Sequence, residues 1–257
     1  MHRIARRRST RLDRMAPGAL NGVLASGLVL APKPGERTAT SKWRHPGLHK
    51  RGLDIVVSAL GLLGSAPLWA LIGIAIKLED GGPVFYRQTR VGHRGRIFSV
   101  VKFRSMVQDA EGTTGPVWAA ENDSRVTVVG RVLRATAMDE LPQLLNILRG
   151  DMSFVGPRPE RPELVARFQR EIPGYERRFL APPGLTGLAQ ICGKYDSRPR
   201  QKLRYDVLYI KRQGFCLDAR LIGLSVWITL RGRWESRGKK VSKALLFLHR
   251  PFRRGRD

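Results

Sequence analysis

Residues 134–159 read RATAMDELPQLLNILRGDMSFVGPRP, and this stretch decides how the chain is built. Leu141, Leu144, Leu145 and Leu148 fall at i, i+3, i+4 and i+7, the spacing of a buried helix stripe. Pro142 lies inside that pattern, and proline is tolerated only in a first turn, where a missing N–H costs nothing. The spacing therefore predicts a helix starting close to Asp139, with Asp139 and Glu140 at its positive end, where anions are favoured. Read alone, Asp139 is an N-cap and Glu140 a first-turn acid, a common arrangement with no chemistry in it. Downstream, a Gly-rich turn leads to Arg158, set between Pro157 and Pro159. Prolines on both sides restrict the backbone and pre-set the arginine.

Outward from this centre the chain is strongly basic. Lys and Arg outnumber Asp and Glu by 47 to 21, a formal net charge of +26 over 257 residues. That balance calls for an anionic partner: nucleic acid, an anionic membrane surface or a phosphorylated substrate. The two cysteines, Cys192 and Cys216, form no CxxC or Cys/His metal spacing, which argues against a zinc site and for free thiols. Residues 1–49 are rich in Arg, Ser, Gly and Pro and are predicted to form a basic, disordered extension without a secretory signal.

From Ile55 to Ile76 no charge occurs, a run long enough to cross a bilayer as a helix. Pro67 sits near its middle behind Gly64 and Ser65, and bends or breaks such a helix. Both flanks are basic: Lys50 and Arg51 before, Lys77, Arg87 and Arg90 after. A straight span cannot keep both flanks on the cytoplasmic side, whereas a segment that enters, breaks at Pro67 and returns can. A re-entrant helix over 50–77, a true span and a buried pair of core helices are the three readings.

Val84–Tyr86 and Ile97–Val101 flank the turn-rich Val91–Gly95 and read as a β-hairpin. Residues 125–134 begin extended and turn helical; 162–178, 201–213 and 217–230 read as helices, and Pro182–Gly187 as a rigid turn. Residues 233–257 form a basic amphipathic tail suited to an anionic membrane surface. The apolar C-terminal helix and tail leave a homodimer open.

Two adjacent carboxylates that both stay ionised need cationic compensation. Lys102, Arg134 and Arg158, or a divalent cation, would supply it. Oxygen-only ligation beside a phosphate substrate points to Mg²⁺, with one carboxylate attacking phosphorus while the other holds the ion. Arginine suits a diphosphate because its guanidinium binds phosphate oxygens in pairs.

The ordered set KRGLDIVVSA, GGPVFYRQTRVG, KFRSM, MDELPQLLNILRGDMSFVGPRP and PGLTGLAQ, between Lys50 and Arg231, resembles the bacterial sugar transferases called monotopic phosphoglycosyl transferases. The resemblance implies a mainly α protein with a small β-hairpin. It implies one N-terminal re-entrant, Pro-broken membrane helix and a compact cytoplasmic catalytic domain over 78–232. It also implies transfer of a sugar-1-phosphate, a hexose such as galactose or glucose, from a UDP-sugar to undecaprenyl phosphate. The setting would be the cytoplasmic leaflet of the bacterial inner membrane, with Mg²⁺ as cofactor and no nucleic acid partner. By motif, Asp139 matches the nucleophile and Glu140 its metal-holding partner. Arg134 matches an arginine associated with the polyprenyl phosphate, and Lys102 and Arg158 match basic site residues, Arg158 on the donor phosphates. Ser65 and Pro67 match the helix break.

Departures are Ala66 where Ser commonly precedes the proline, Pro182 in place of Arg, Leu188 in place of Trp, and Lys194 in place of Arg. They cluster at expected nucleotide and sugar contacts and bear on donor identity more than on reaction class. Nothing in residues 1–49 would supply the added membrane helices of the larger members, so the compact form is expected. The competing readings are a basic nucleic-acid-binding protein, motivated by charge alone, and a single-span membrane scaffold without catalysis.

Overall fold

The computed structural model describes residues 47–110, 123–193 and 198–230. Nearly all of the basic extension, the tail 233–257 and Lys194 lie outside the described residues.

Helix α1 (Leu48–Asp80) runs 33 residues, about 50 Å at the helical rise, and is long and apolar enough to cross a membrane. The expected break at Pro67 is not an interruption: helix continues through it. Inward contacts recur every three or four residues: Lys50, Asp54, Ser58, Gly61, Ser65, Trp69, Ile72 and Ile76. A single stripe of the helix thus lies along the rest of the molecule. Leu60, Leu63, Leu71, Ile74 and Leu78 point the other way and are exposed, as is Pro67. The proline removes the bond to the Leu63 carbonyl on this outward side, leaving the packed side intact. Ser65 Oγ does not repair that loss; it donates to Gly61 O at 2.6 Å and accepts from Trp69 Nε1 at 3.0 Å.

Strands β1 (Phe85–Val91) and β2 (Ile97–Phe103) pair antiparallel, Phe85 opposite Phe103 and Val91 opposite Ile97, forming the expected hairpin. Helix α2 (Val128–Ala135) begins at Thr127, whose side chain accepts from Gly130 N, while Glu79 of α1 accepts from Val128 N at 2.5 Å. Gly130 is required here, since a Cβ would lie 2.1 Å from Ser105 O.

The central helix departs from its predicted start. Met138–Glu140 form a separate 3-10 turn, and α3 spans Gln143–Arg149. Ala137 takes φ 56, and Glu140 N and Leu141 N bond back three residues, to Ala137 O and Met138 O. Pro142 has no N–H with which to continue as an α-helix from Met138, so the acids sit one turn ahead of α3. The buried face consequently carries Gln143, Leu144, Asn146 and Ile147, while Leu141, Leu145 and Leu148 are half-buried.

A second pair of strands went unpredicted: β3 (Ser153–Val155) and β4 (Gly184–Thr186) run parallel, Ser153 opposite Gly184. Helices α4 (Pro162–Glu171), α5 (Leu188–Cys192), α6 (Pro199–Arg212) and α7 (Phe215–Leu230) complete the body. The largest cluster of buried side chains joins α3, β3, α5, α6 and α7 through Ile147, Val155, Ile191, Ile210 and Leu221.

Candidate active site

Each candidate side chain comes from a different element. Asp139 and Glu140 lie on the 3-10 turn, Lys102 near the end of β2, Arg134 in the last turn of α2, and Arg158 in the loop after β3. Buried Asn146 of α3 fixes the strand that bears Lys102. It accepts from Val101 N at 3.1 Å and donates to Ser99 O at 2.8 Å. The C-terminus of α3 is held in turn by Arg51 of α1, which donates to Ile147 O at 2.6 Å and Leu148 O at 2.7 Å. The helix that lies against the body thus reaches the site through α3.

Glu140 is locked. Its Oε1 accepts from Lys102 Nζ at 2.6 Å and from Arg158 Nη2 at 2.5 Å, and Arg158 Nη1 lies 3.4 Å from Oε2. Burial alone would push its carboxyl up, but the Arg158 and Lys102 charges hold it far below the usual carboxylate range. Arg158 is raised in turn by the Glu140 carboxylate.

Asp139, the next residue, is built differently. It is 9% exposed, and among the described residues no donor bonds its carboxylate. Burial pushes its carboxyl up to about 6, against the opposing charges of Lys102, Arg134 and Arg158 and with the repulsion of Glu140. The sequence reading offered three cations for the two acids together; two of them bond Glu140, and Arg134 acts on Asp139 only through its charge. Near neutral pH Asp139 is a carboxylate with unengaged lone pairs beside an anchored anion.

Both acids open onto one cleft of about 1940 Å³. Its lining includes apolar positions of α1 and α7, Gly61, Leu68, Ile222 and Val226. The lining also includes the charged side chains Glu160, Arg161, Arg178, Lys202 and Asp206, none of which the sequence singled out. Arg178 sits in the charged run Tyr175–Leu180 and is 4% exposed. Nothing in an Arg-rich run distinguishes a buried arginine from its solvated neighbours.

No group of three or more His, Cys, Asp or Glu able to hold a metal occurs among the described residues. The oxygens present still fit a hard cation that binds through one or two carboxylates and completes its shell with water and substrate phosphate. Glu140 Oε2, with its single long contact to Arg158, and the Asp139 carboxylate are those oxygens.

The model of the bacterial sugar transferase family matches residues 45–232, taking in α1, the hairpin, the acid pair and α7. The chain belongs to the bacterial sugar transferase family. Among its relatives is the UDP-glucose:undecaprenyl-phosphate glucose-1-phosphate transferase of Caulobacter vibrioides, 44% identical over 180 residues, 68% of this chain and 67% of that protein. The UDP-N-acetylgalactosamine-undecaprenyl-phosphate N-acetylgalactosaminephosphotransferase of Aeromonas hydrophila is 41% identical over 186 residues. That alignment takes in 71% of this chain but only 44% of the Aeromonas sugar transferase, so the chain spans less than half of that relative's length. The exopolysaccharide production protein ExoY of Rhizobium meliloti is 39% identical over 186 residues, 67% of this chain and 81% of that protein.

Proposed function

We propose that this sugar transferase moves a sugar-1-phosphate from a UDP-sugar to undecaprenyl phosphate, opening the assembly of an exopolysaccharide or related glycan. One observation carries the reading: an unbonded, buried carboxylate beside a carboxylate clamped by two cations, in a cleft lined by both apolar and charged side chains. The names of the relatives support the substrate classes.

In this mechanism an Asp139 oxygen attacks the phosphorus that bears the sugar. The bond from that phosphorus to the bridging oxygen breaks, and the nucleoside monophosphate leaves with the bond pair. A phosphate oxygen of the lipid then attacks the same phosphorus and expels the Asp139 carboxylate, yielding a lipid diphosphate sugar. Dividing the transfer in two replaces one difficult step with two easier ones. Arg158 and Lys102 offset charge on the donor phosphates, and Arg134 serves the lipid phosphate. When bound, Mg²⁺ would be held by Glu140 with phosphate oxygens and would neutralise charge on the leaving nucleotide.

The membrane arrangement belongs to the same proposal. Lys50 and Arg51 at the start of α1 and Glu79 near its end all bond the same body. We place both ends of α1 at the cytoplasmic face, its outward leucines in the inner membrane. Cysteines introduced near Arg44 and Arg90 are then labelled from the same side; opposite-side labelling contradicts the placement. The relatives divide between glucose and N-acetylgalactosamine. A screen of UDP-glucose, UDP-galactose and UDP-N-acetylgalactosamine, reading UMP release with undecaprenyl phosphate and Mg²⁺, tests the reaction and its sugar. UMP release from none of them contradicts the reading.

A further inference from the structure

The loop that presents Arg158 is held in an unusual way. Between β3 and α4 the chain runs Gly156–Pro157–Arg158–Pro159–Glu160, and all but Arg158 are buried. Two prolines in five residues remove two backbone donors, so the loop has few N–H groups with which to fix itself. What it has is carbonyls, and four in succession accept from four different places. Pro157 O accepts from Gly184 N at 2.9 Å and Glu160 O from Val91 N at 2.9 Å, as strand-like neighbours would. Arg158 O instead accepts from Arg178 Nη2 at 2.7 Å, and Pro159 O from Arg90 Nη1 at 3.0 Å.

Two guanidiniums bonding adjacent carbonyls are a costly way to satisfy a loop, because a buried cation must be compensated. Both are compensated. Arg178 lies 3.0 Å from Asp206 Oδ2, with the two side chains 4% and 2% exposed, and it also bonds the Tyr175 hydroxyl. Arg90 bonds Gln88 and lies 3.9 Å from Glu160. A guanidinium is a rigid, planar fork, so each one ties the loop carbonyl to a second fixed point at set geometry. The Arg158 side chain, 43% exposed, is left free to reach Glu140 and the cleft from an immobilised backbone.

We propose that Arg178 and Arg90 are positioning residues that act through Arg158. They hold the 157–160 carbonyls so that the Arg158 guanidinium meets the donor phosphates already in place. This rests on the transfer reaction proposed above. A bare structural role predicts that losing Arg178 harms the protein whatever residue stands at 158. Positioning predicts that the loss matters only while Arg158 is present, because coupled residues are not additive.

The test is equilibrium binding of a UDP-sugar to the full-length protein carrying Asp139→Asn, which removes turnover from the measurement. Arg178→Met and Arg90→Met are each made with Arg158 intact and with Arg158→Ala, and thermal unfolding verifies that each variant is folded. With Arg158 present, each is expected to weaken binding about tenfold, as for loss of one well-placed charged contact. In the Arg158→Ala background each should change it less than about twofold. Equal losses in both backgrounds, or no loss with Arg158 present, overturn the proposal. Should Arg178→Met not fold, Arg90→Met, whose side chain is 19% exposed, carries the same cycle. Absence of saturable UDP-sugar binding to the protein with Arg158, Arg178 and Arg90 all intact would count against the transfer reaction instead.

Discussion

Two buried aspartates show how differently the molecule treats one side chain. Asp218 of α7 accepts from Lys50 Nζ at 2.7 Å and from the Tyr209 hydroxyl at 2.8 Å; Lys50 also donates to Val155 O at 2.9 Å. It is a closed joint that binds α1 to α6, α7 and β3. Asp139 has comparable burial, and no donor among the described residues bonds it, although two cations stand one residue away on Glu140. A carboxylate kept for structure is surrounded by donors; under the proposed mechanism, one kept for chemistry is deprived of them at a cost in stability. Their substitutions should therefore fail in opposite ways.

The largest effect expected is on turnover. If Asp139 is the proposed nucleophile, Asp139→Asn should lose at least roughly 10³-fold of its UMP release, since an amide cannot take that role. Asp218→Asn should keep the chemistry within about tenfold and instead lose about 3 kcal/mol of stability, because it leaves the Lys50 ammonium buried without its charge partner. Retained turnover in the first, or unchanged stability in the second, breaks the comparison.

Next in size is a gain. A carboxyl whose folded-state pKa of about 6 lies above its unfolded value takes up a proton on folding between about pH 4 and 6. Stability is therefore favoured by acid in that window and is lost as pH rises through about 6. Asp139→Asn removes this loss, so in detergent it should be more stable than wild type at pH 8 by on the order of 2 kcal/mol, and no more stable near pH 4. Equal unfolding temperatures at pH 8 would deny that Asp139 is held at a cost. The same ionisation should give kcat/KM for the donor an acid limb near pH 6, because the mechanism proposed above requires Asp139 unprotonated.

The smallest expected effect lies in α1. Ser65→Ala removes the bonds to Gly61 O and Trp69 Nε1 and should cost about 1 kcal/mol, with catalysis unchanged. A loss of membrane association in this variant would give Ser65 a larger part than a local bracket.

Much of this was legible before any coordinates. The hairpin followed from its alternation and turn residues, and α1 from an uncharged run no loop could hold. The five site residues quoted from the motifs line or adjoin one cleft. The register of the central helix was misread because the leucine spacing favoured a start at Asp139, while the absent N–H of Pro142 divides that run into two turns. Strands β3 and β4, three residues each, are too short to show a period and are created by their pairing. Asn146, Arg90 and Arg178 were invisible for another reason. Each is a polar residue whose value lies in reaching a backbone group far along the chain, and no local pattern records that reach.

The most direct test is the intact mass of the purified protein after exposure to a UDP-sugar and Mg²⁺ without lipid acceptor, followed by peptide mapping. One sugar-phosphate added on the peptide containing Asp139, lost when undecaprenyl phosphate is supplied and absent in Asp139→Asn, is the predicted result. UMP released with undecaprenyl phosphate while no adduct forms on Asp139 would contradict it.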